Sequence, residues 1–233
     1  MKDGIIIKGI SGFYYVEVGQ DLYECKARGI FRKKGLSPLV GDRVAISIID
    51  EADKKGNIEK IYERKSELVR PPIANVDKVL ITFSVKEPNP NMVLLDRFIV
   101  FSEKENLDIR IILTKVDLDE DGTIVDRIVS DYGRIGYKVI PVSVETGQGV
   151  DQVRQELEGC ISVFAGQSGV GKSSILNAIE PGFKIDTAEI SQKLGRGKHT
   201  TRHSELYKLG PNAIVADTPG FSSFELTDIE IEE

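Results

Sequence analysis

Gly166-Gln167-Ser168-Gly169-Val170-Gly171-Lys172-Ser173 is a complete GxxxxGK[ST] run, and what flanks it decides the fold. Cys160-Ile161-Ser162-Val163-Phe164-Ala165 before it reads as a buried strand, and Ser174-Ile175-Leu176-Asn177-Ala178-Ile179 after it reads as a helix. Strand, glycine-rich loop and helix form the context that a phosphate-binding loop requires. Glycines at 166, 169 and 171 let successive backbone N–H groups close around phosphate oxygens, helped by the helix N-terminus. Lys172 reaches the β- and γ-phosphates in such a loop, and the Ser173 hydroxyl binds Mg²⁺. The candidate phosphate site is therefore Gly166, Gln167, Ser168, Gly169, Val170, Gly171, Lys172, Ser173 and Ser174.

Base-recognition candidates precede this loop. Leu107-Asp108-Ile109-Arg110-Ile111-Ile112-Leu113 reads as a strand that ends in Thr114-Lys115-Val116-Asp117. These four residues resemble the NKxD guanine-recognition motif of GTPases, with Thr in place of Asn. A carboxylate there accepts from both N1–H and the 2-amino group of guanine, a donor pair that adenine lacks. A second strand, Tyr137-Lys138-Val139-Ile140-Pro141-Val142, ends in Ser143-Val144-Glu145-Thr146-Gly147, which resembles the loop that closes over guanine in the same proteins. Ser143 and Val144 join the candidate nucleotide contacts.

After the phosphate loop come Gly195-Arg196-Gly197-Lys198-His199-Thr200-Thr201 and a strand, Ala213-Ile214-Val215-Ala216, that delivers Asp217-Thr218-Pro219-Gly220. The last four resemble DxxG, in which the Asp holds the Mg²⁺ shell through water and the Gly N–H reaches the γ-phosphate. Thr200 or Thr201 takes the place of the switch threonine on Mg²⁺. Ordinary GTPases run phosphate loop, switch threonine, DxxG, base motif, closing loop; here the last two come first. The chain therefore resembles a circularly permuted GTPase. Permutation preserves a parallel sheet while moving the termini to another loop. It also attaches whatever follows DxxG directly to a nucleotide-sensing segment.

The 233 residues leave room for one α/β domain of about 160 residues and a small companion. The two cysteines, Cys25 and Cys160, offer neither a disulfide framework nor a zinc quartet. With no basic leader and no 18-residue apolar span, no membrane partner is expected, and the expected location is the cytoplasm. The net charge of −6 hides an asymmetry: residues 1–65 carry 13 Lys+Arg against 10 Asp+Glu, so the remainder is acidic. This first segment has β-like runs at Ile5–Lys8, Phe13–Val18, Leu22–Arg28, Arg43–Ile49 and Asn57–Ile61, with no helix expected. Five short strands in so short a segment predict a small closed barrel of the OB-fold type. Gly41-Asp42-Arg43-Val44 reads as a turn that feeds a strand. Lys26, Arg28, Arg32, Lys33 and Lys34 cluster near Tyr14, Tyr15, Tyr23 and Phe31, which suits phosphate contact and base stacking on RNA. A solvated loop beside core aromatics would carry the same letters.

The expected architecture is an α/β phosphate-loop GTPase domain with a mostly parallel sheet over 76–233, joined by a linker (66–75) to an OB-fold over 1–65. The barrel, the Arg-Pro linker into Asn75-Val76-Asp77, Thr114–Asp117, the phosphate loop, Gly197-Lys198-His199-Thr200-Thr201 and Asp217-Thr218-Pro219-Gly220-Phe221 together resemble the small-ribosomal-subunit-dependent GTPase A family along essentially the whole chain. The resemblance implies a monomeric GTP hydrolase that uses Mg²⁺, binds 16S rRNA on the maturing small (30S) subunit, acts late in assembly and turns over faster when docked. That family continues into a zinc-binding C-terminal domain. No cysteine follows Cys160 here, so the zinc module and its ligands are expected to be absent from this chain. Thr114 for Asn is expected to loosen base positioning. Phe221 stands where many GTPases place a water-orienting Gln and can neither position water nor accept its proton. His199 is the candidate substitute, and a solvated His is the plain alternative. Two readings of function remain: GTP hydrolysis coupled to subunit maturation, and an RNA-binding switch set by nucleotide state with negligible intrinsic catalysis. An ATP-dependent kinase sharing the loop is disfavoured by Asp117.

Overall fold

The computed structural model describes residues 1–33, 35–69, 72–181, 205–210 and 212–217. Its first five strands, β1 (Lys2–Ile10), β2 (Phe13–Val18), β3 (Asp21–Ala27), β4 (Arg43–Asp50) and β5 (Lys55–Ile61), lie in the order β1-β2-β3-β5-β4, and β4 returns to pair with β1. Only the β3–β5 pairing among them is parallel. Ile6, Val16, Tyr23, Cys25, Val44, Ile46 and Ile58 fill the interior without exposure, so each strand spends its inward side chains on one small core. Closure demands close backbone approach: a Cβ on Gly4 would lie 2.3 Å from the Glu17 carbonyl oxygen. The barrel is the expected OB-type closure.

Two local features differ from expectation. A single helical turn, α1 (Gly29–Lys33), follows β3, anchored by buried Phe31. Five residues are too few to show a helical period, so burial of one aromatic sets the turn. The segment expected to be a linker is structured. In it β6 (Glu67–Val69) and β7 (Pro72–Ala74) pair antiparallel, with Leu68 and Ile73 buried. The hairpin is fastened to the barrel turn at 39–42: Ala74 N donates to the Val40 carbonyl at 2.8 Å and Asn75 Nδ2 to the Gly41 carbonyl at 2.9 Å. Fully buried Asp42 accepts from Leu39 N and from Arg64, each at 2.7 Å. Three-residue strands around an Arg-Pro-Pro run carry no periodic signal, whereas the hydrogen bonds that hold them come from residues far away in the chain.

The second half is a sheet ordered β10 (Lys138–Val142), β9 (Asp108–Thr114), β8 (Lys78–Ser84), β11 (Ile161–Ala165), β13 (Ala213–Asp217), β12 (Glu205–Leu209); β12 alone runs antiparallel. Helix α2 (Met92–Lys104) and α3 (Thr123–Arg134) cover one face, and α4 (Val150–Leu157) and α5 (Lys172–Ile179) the other. Covered on both faces, β8 is buried at all seven positions, its apolar stretch Val79-Leu80-Ile81 flanked by buried Lys78, Thr82 and Ser84. The barrel and this sheet are continuous: β1 pairs with β12 at Lys8↔Glu205, where Lys8 Nζ also donates to the Glu205 carboxylate at 2.8 Å.

The edge where the parallel strands begin is organised by Glu156 of α4. Its carboxylate accepts from Lys78 Nζ (2.7 Å), Arg110 Nε (2.7 Å) and Lys138 Nζ (2.6 Å). Burial alone would raise the Glu156 carboxyl, but the hydrogen bonds from Lys138 and Lys78 and the charges of Lys78 and Arg110 outweigh it and lower it to about 2. A carboxyl depressed in the folded state contributes stability above its ordinary value of 4.5 and loses it as pH falls towards about 2. Glu156→Gln should therefore flatten acid sensitivity. Between those limits the parent should lose on the order of 2 kcal/mol more unfolding free energy than the variant, measured by urea titration at each pH. Parallel losses in both proteins would show that Glu156 is not the group responsible.

Candidate functional site

Because β8, β9, β10, β11 and β13 are parallel, their C-terminal ends share one edge, and the chemistry-bearing loops leave from it. The phosphate loop leaves β11 pressed against β8. Gly166 has φ 135°, and a Cβ there would sit 2.1 Å from the Thr82 carbonyl oxygen, so the position admits no side chain. Gly171, at φ 97°, caps α5 and turns the chain into the helix that starts at Lys172. Lys172 Nζ donates to the Gly166 carbonyl at 2.7 Å and the Gln167 carbonyl at 2.6 Å. Burial pushes its ammonium down to about 8. Ser168, Gly169 and Ser174 are exposed, Ser173 is half-buried in the first turn of α5, and Val170 is buried.

The base-side residues are bolted to this loop. Thr114, the last residue of β9, is buried, and its Oγ1 donates to the Val170 carbonyl at 2.6 Å, with the Phe83 carbonyl 3.3 Å away. The hydroxyl thus ties Thr114 at the end of β9 to the phosphate loop. Lys115 adopts φ 57°, and its Nζ donates to the Glu87 carbonyl. Val116–Leu118 form a 3₁₀ turn that leaves Asp117 exposed beside the loop, with Val116 buried beneath. On the next strand, Ser143 follows β10, buried, its Oγ accepting from Thr146 N at 3.2 Å, while Val144 is exposed.

Asp217 ends β13, which pairs with β11, so its backbone reaches the same edge. Gly220, His199, Thr200, Thr201 and Phe221 lie outside the described residues. Among the described residues no cluster of three His, Cys, Asp or Glu could hold a metal ion. A nucleotide-borne Mg²⁺ does not require one, since phosphate oxygens and water supply most of its ligands. The Ser173 hydroxyl, at the helix start behind Lys172, fits that limited role.

On the barrel, Lys26 and Lys33 are exposed, and Lys26 Nζ lies 5.0 Å from the Phe13 ring centre. Arg28 is already paired with Glu59, which reduces its positive contribution. Lys34 and the Arg32 side chain lie outside the described residues. Tyr23 and Phe31 are buried, so these two of the four expected stacking aromatics serve the core; the small barrel has few other large side chains to fill it. Sequence reading also missed Lys86, Glu87 and Pro88, which sit between the base motif and the phosphate loop. The turn signal Glu87-Pro88-Asn89-Pro90 after a buried strand was the available clue.

A parallel sheet carrying the phosphate loop centrally, with the base motif on a strand earlier in the chain, defines a circularly permuted phosphate-loop GTPase. Residues 61–227 match the family model described as RsgA GTPase, and residues 3–58 match that of the RsgA N-terminal domain. The chain belongs to the RsgA GTPase family. Similar proteins include one from Alkaliphilus metalliredigens, 50% identical over all of this chain and 80% of its own length, and one from Geobacillus sp. strain WCH70, 51% identical over all of this chain and 79% of its own. Both are named small ribosomal subunit biogenesis GTPase RsgA. Among solved structures, YjeQ from Thermotoga maritima aligns with a TM-score of 0.84 at 37% identity, covering 98% of this chain and 78% of that one. YloQ, described as a circularly permuted GTPase, aligns at 0.75 and 42% identity, covering 99% and 75%.

The bolt at Thr114 can be tested. Thr114→Val keeps the shape, deletes the donor and leaves the buried Val170 carbonyl without it. GDP affinity should fall on the order of tenfold, while Thr114→Ser should stay near the parent. Calorimetric titration of both variants checks this; parent-like affinity in the Val variant would show that the bond does not shape the site.

Proposed function

We propose that this GTPase hydrolyses GTP to GDP and phosphate while docked on the maturing small ribosomal subunit. One observation carries the reading. Thr114–Asp117 and the phosphate loop are held together at one sheet edge by the Thr114–Val170 hydrogen bond, which sets a base reader and a phosphate cradle at fixed separation. In this reading the loop amides and Lys172 stabilise charge on the transferring phosphoryl group. Lys172 leaves the Gly166 and Gln167 carbonyls for phosphate oxygens, whose charge favours its ammonium form. Asp117 accepts from guanine, Lys115 and Ser143–Val144 flank the base, and Thr114 fixes the base loop. Ser173, Thr200 or Thr201, and Asp217 through water would hold the Mg²⁺ that accompanies GTP and neutralises phosphate charge. The Gly220 N–H reaches the γ-phosphate, and His199 orients the attacking water in place of the Gln that Phe221 replaces.

The barrel (1–65) is assigned to 16S rRNA through Lys26, Lys33 and their neighbours Arg28, Arg32 and Lys34, with 66–75 joining it to the GTPase domain (76–233). Relatives named for small ribosomal subunit biogenesis support this partner. No described helix is long and apolar enough to cross a membrane, and a cytoplasmic monomer accords with the proposed role. A second reading, an RNA-binding switch in which hydrolysis only resets the state, is favoured by the β1–β12 pairing. It joins the barrel to the strand preceding β13 and Asp217.

GTP turnover with and without purified small subunits separates the two. Stimulated turnover by the parent, abolished in Lys172→Ala, supports the first reading. Docking that depends on GTP over GDP with unstimulated turnover supports the second.

Base selection gives a separate test. Asp117→Asn substitutes a donor for one acceptor oxygen, which suits the carbonyl that xanthine carries where guanine has its 2-amino group. GDP affinity should fall on the order of tenfold to a hundredfold while XDP affinity rises. An unchanged GDP preference in paired titrations would remove Asp117 as the base reader.

A further inference from the structure

Residues 84–88, the end of β8 and the start of its connection to α2, lie between the base motif and the phosphate loop. Ser84 Oγ donates to the Pro88 carbonyl at 2.8 Å, folding the segment back on its own strand. Pro88 then faces the crown of the phosphate loop, 4.0 Å from where a Cβ on Gly169 would stand. Towards the base motif there is a reciprocal clasp. Lys115 Nζ donates to the Glu87 carbonyl, and Lys86 Nζ donates to the Leu118 carbonyl at 2.9 Å. Each segment thus supplies a lysine that caps the other's backbone.

The clasp is held under backbone tension. Glu87 and Lys115 both take left-handed φ, 50° and 57°, a conformation that costs non-glycine residues energy and persists where surroundings enforce it. Lys86 is exposed, so a flexible, well-solvated side chain is committed to one carbonyl. That carbonyl belongs to the last residue of the 3₁₀ turn Val116–Leu118, whose middle residue is Asp117.

We infer that Lys86 is a positioning residue for guanine recognition: by capping the Leu118 carbonyl it orients the turn that presents Asp117 to the base. The effect should appear in discrimination at the 2-amino group, which guanine has and hypoxanthine lacks, because that contact depends on the direction of the Asp117 carboxylate. Contacts to phosphates, made by the loop at 166–173, should not change. The inference rests on Asp117 reading the base.

The test is the ratio of GDP to IDP affinity in the parent, Lys86→Met, which keeps the stem and deletes the donor, and Lys86→Arg, which keeps a donor at similar reach. The ratio should fall threefold to tenfold in the Met variant, through a larger loss of GDP than of IDP affinity because hypoxanthine keeps only the N1–H contact, and return in the Arg variant. A ratio that moves less than twofold, or equal losses for both nucleotides, overturns the inference. Asp117→Asn in the same titrations separates the two claims. If it destroys the GDP preference while Lys86→Met leaves the ratio intact, only the role of Lys86 fails. If Asp117→Asn leaves the preference intact, the base-reading assignment itself is wrong.

Discussion

The hydrogen bond from Thr114 Oγ1 to the Val170 carbonyl is the contact that joins the end of β9 to the glycine-rich loop after β11. It joins residues 56 apart in sequence, the last residue of β9 and the loop that follows β11, strands separated in the sheet by β8. Such a bond is indifferent to which of the two segments the chain visits first. The motif order can therefore be permuted without moving the end of β9 relative to the loop. The parallel sheet supplies that indifference, because every strand delivers its loop to the same edge however the crossovers are ordered.

The two edges of the sheet are built on opposite principles. At the C-terminal edge the backbone is bent into unusual conformations at Gly166, Gly171, Glu87 and Lys115. Exposing amide N–H groups to an anion requires a chain that leaves regular hydrogen bonding, and glycine or enforced left-handed residues make that possible. At the opposite edge the strands begin with cations, Lys78 and Lys138, and with Arg110 they share the Glu156 carboxylate. Asp108 adds a second carboxylate beside Arg110 and Lys78, so the cations there are held by paired side chains rather than by exposed backbone N–H groups.

Continuity between barrel and sheet gives the architecture its directional character. β1 closes the barrel against β4 and also pairs with β12, while Lys208 of β12 holds Glu17 of β2 at 2.6 Å. β12 is antiparallel to β13, so it runs back from the nucleotide edge toward the edge where β13 starts. On the other side the hairpin at 67–74 is riveted through Asn75 and Asp42 to the barrel turn. The barrel is thus joined to the sheet and to the hairpin by backbone and side-chain hydrogen bonds at both places.

Much of this was readable in the letters. The barrel strands follow from short β-like runs punctuated by glycine, and the phosphate loop from glycines set between a strand and a helix. Both are local constraints: a few consecutive residues dictate their own conformation whatever the rest of the chain does. Other features were not readable. The linker became a hairpin because Leu68 and Ile73 found a core and Asn75 found a carbonyl 34 residues away. Tyr23 and Phe31, plausible stacking surfaces by composition, became core, since a small barrel has few other large side chains to fill it. Thr114 and Lys86 found their partners in the carbonyls of Val170 and Leu118 that tertiary folding brings to them. Sequence by itself determined where the glycine-rich loop falls between a strand and a helix and that five short strands form the first domain, because those depend on local backbone conformation and turn residues. Which side chain steadies which loop was decided only by the tertiary structure, because a carbonyl looks the same at every position until the fold chooses its neighbour.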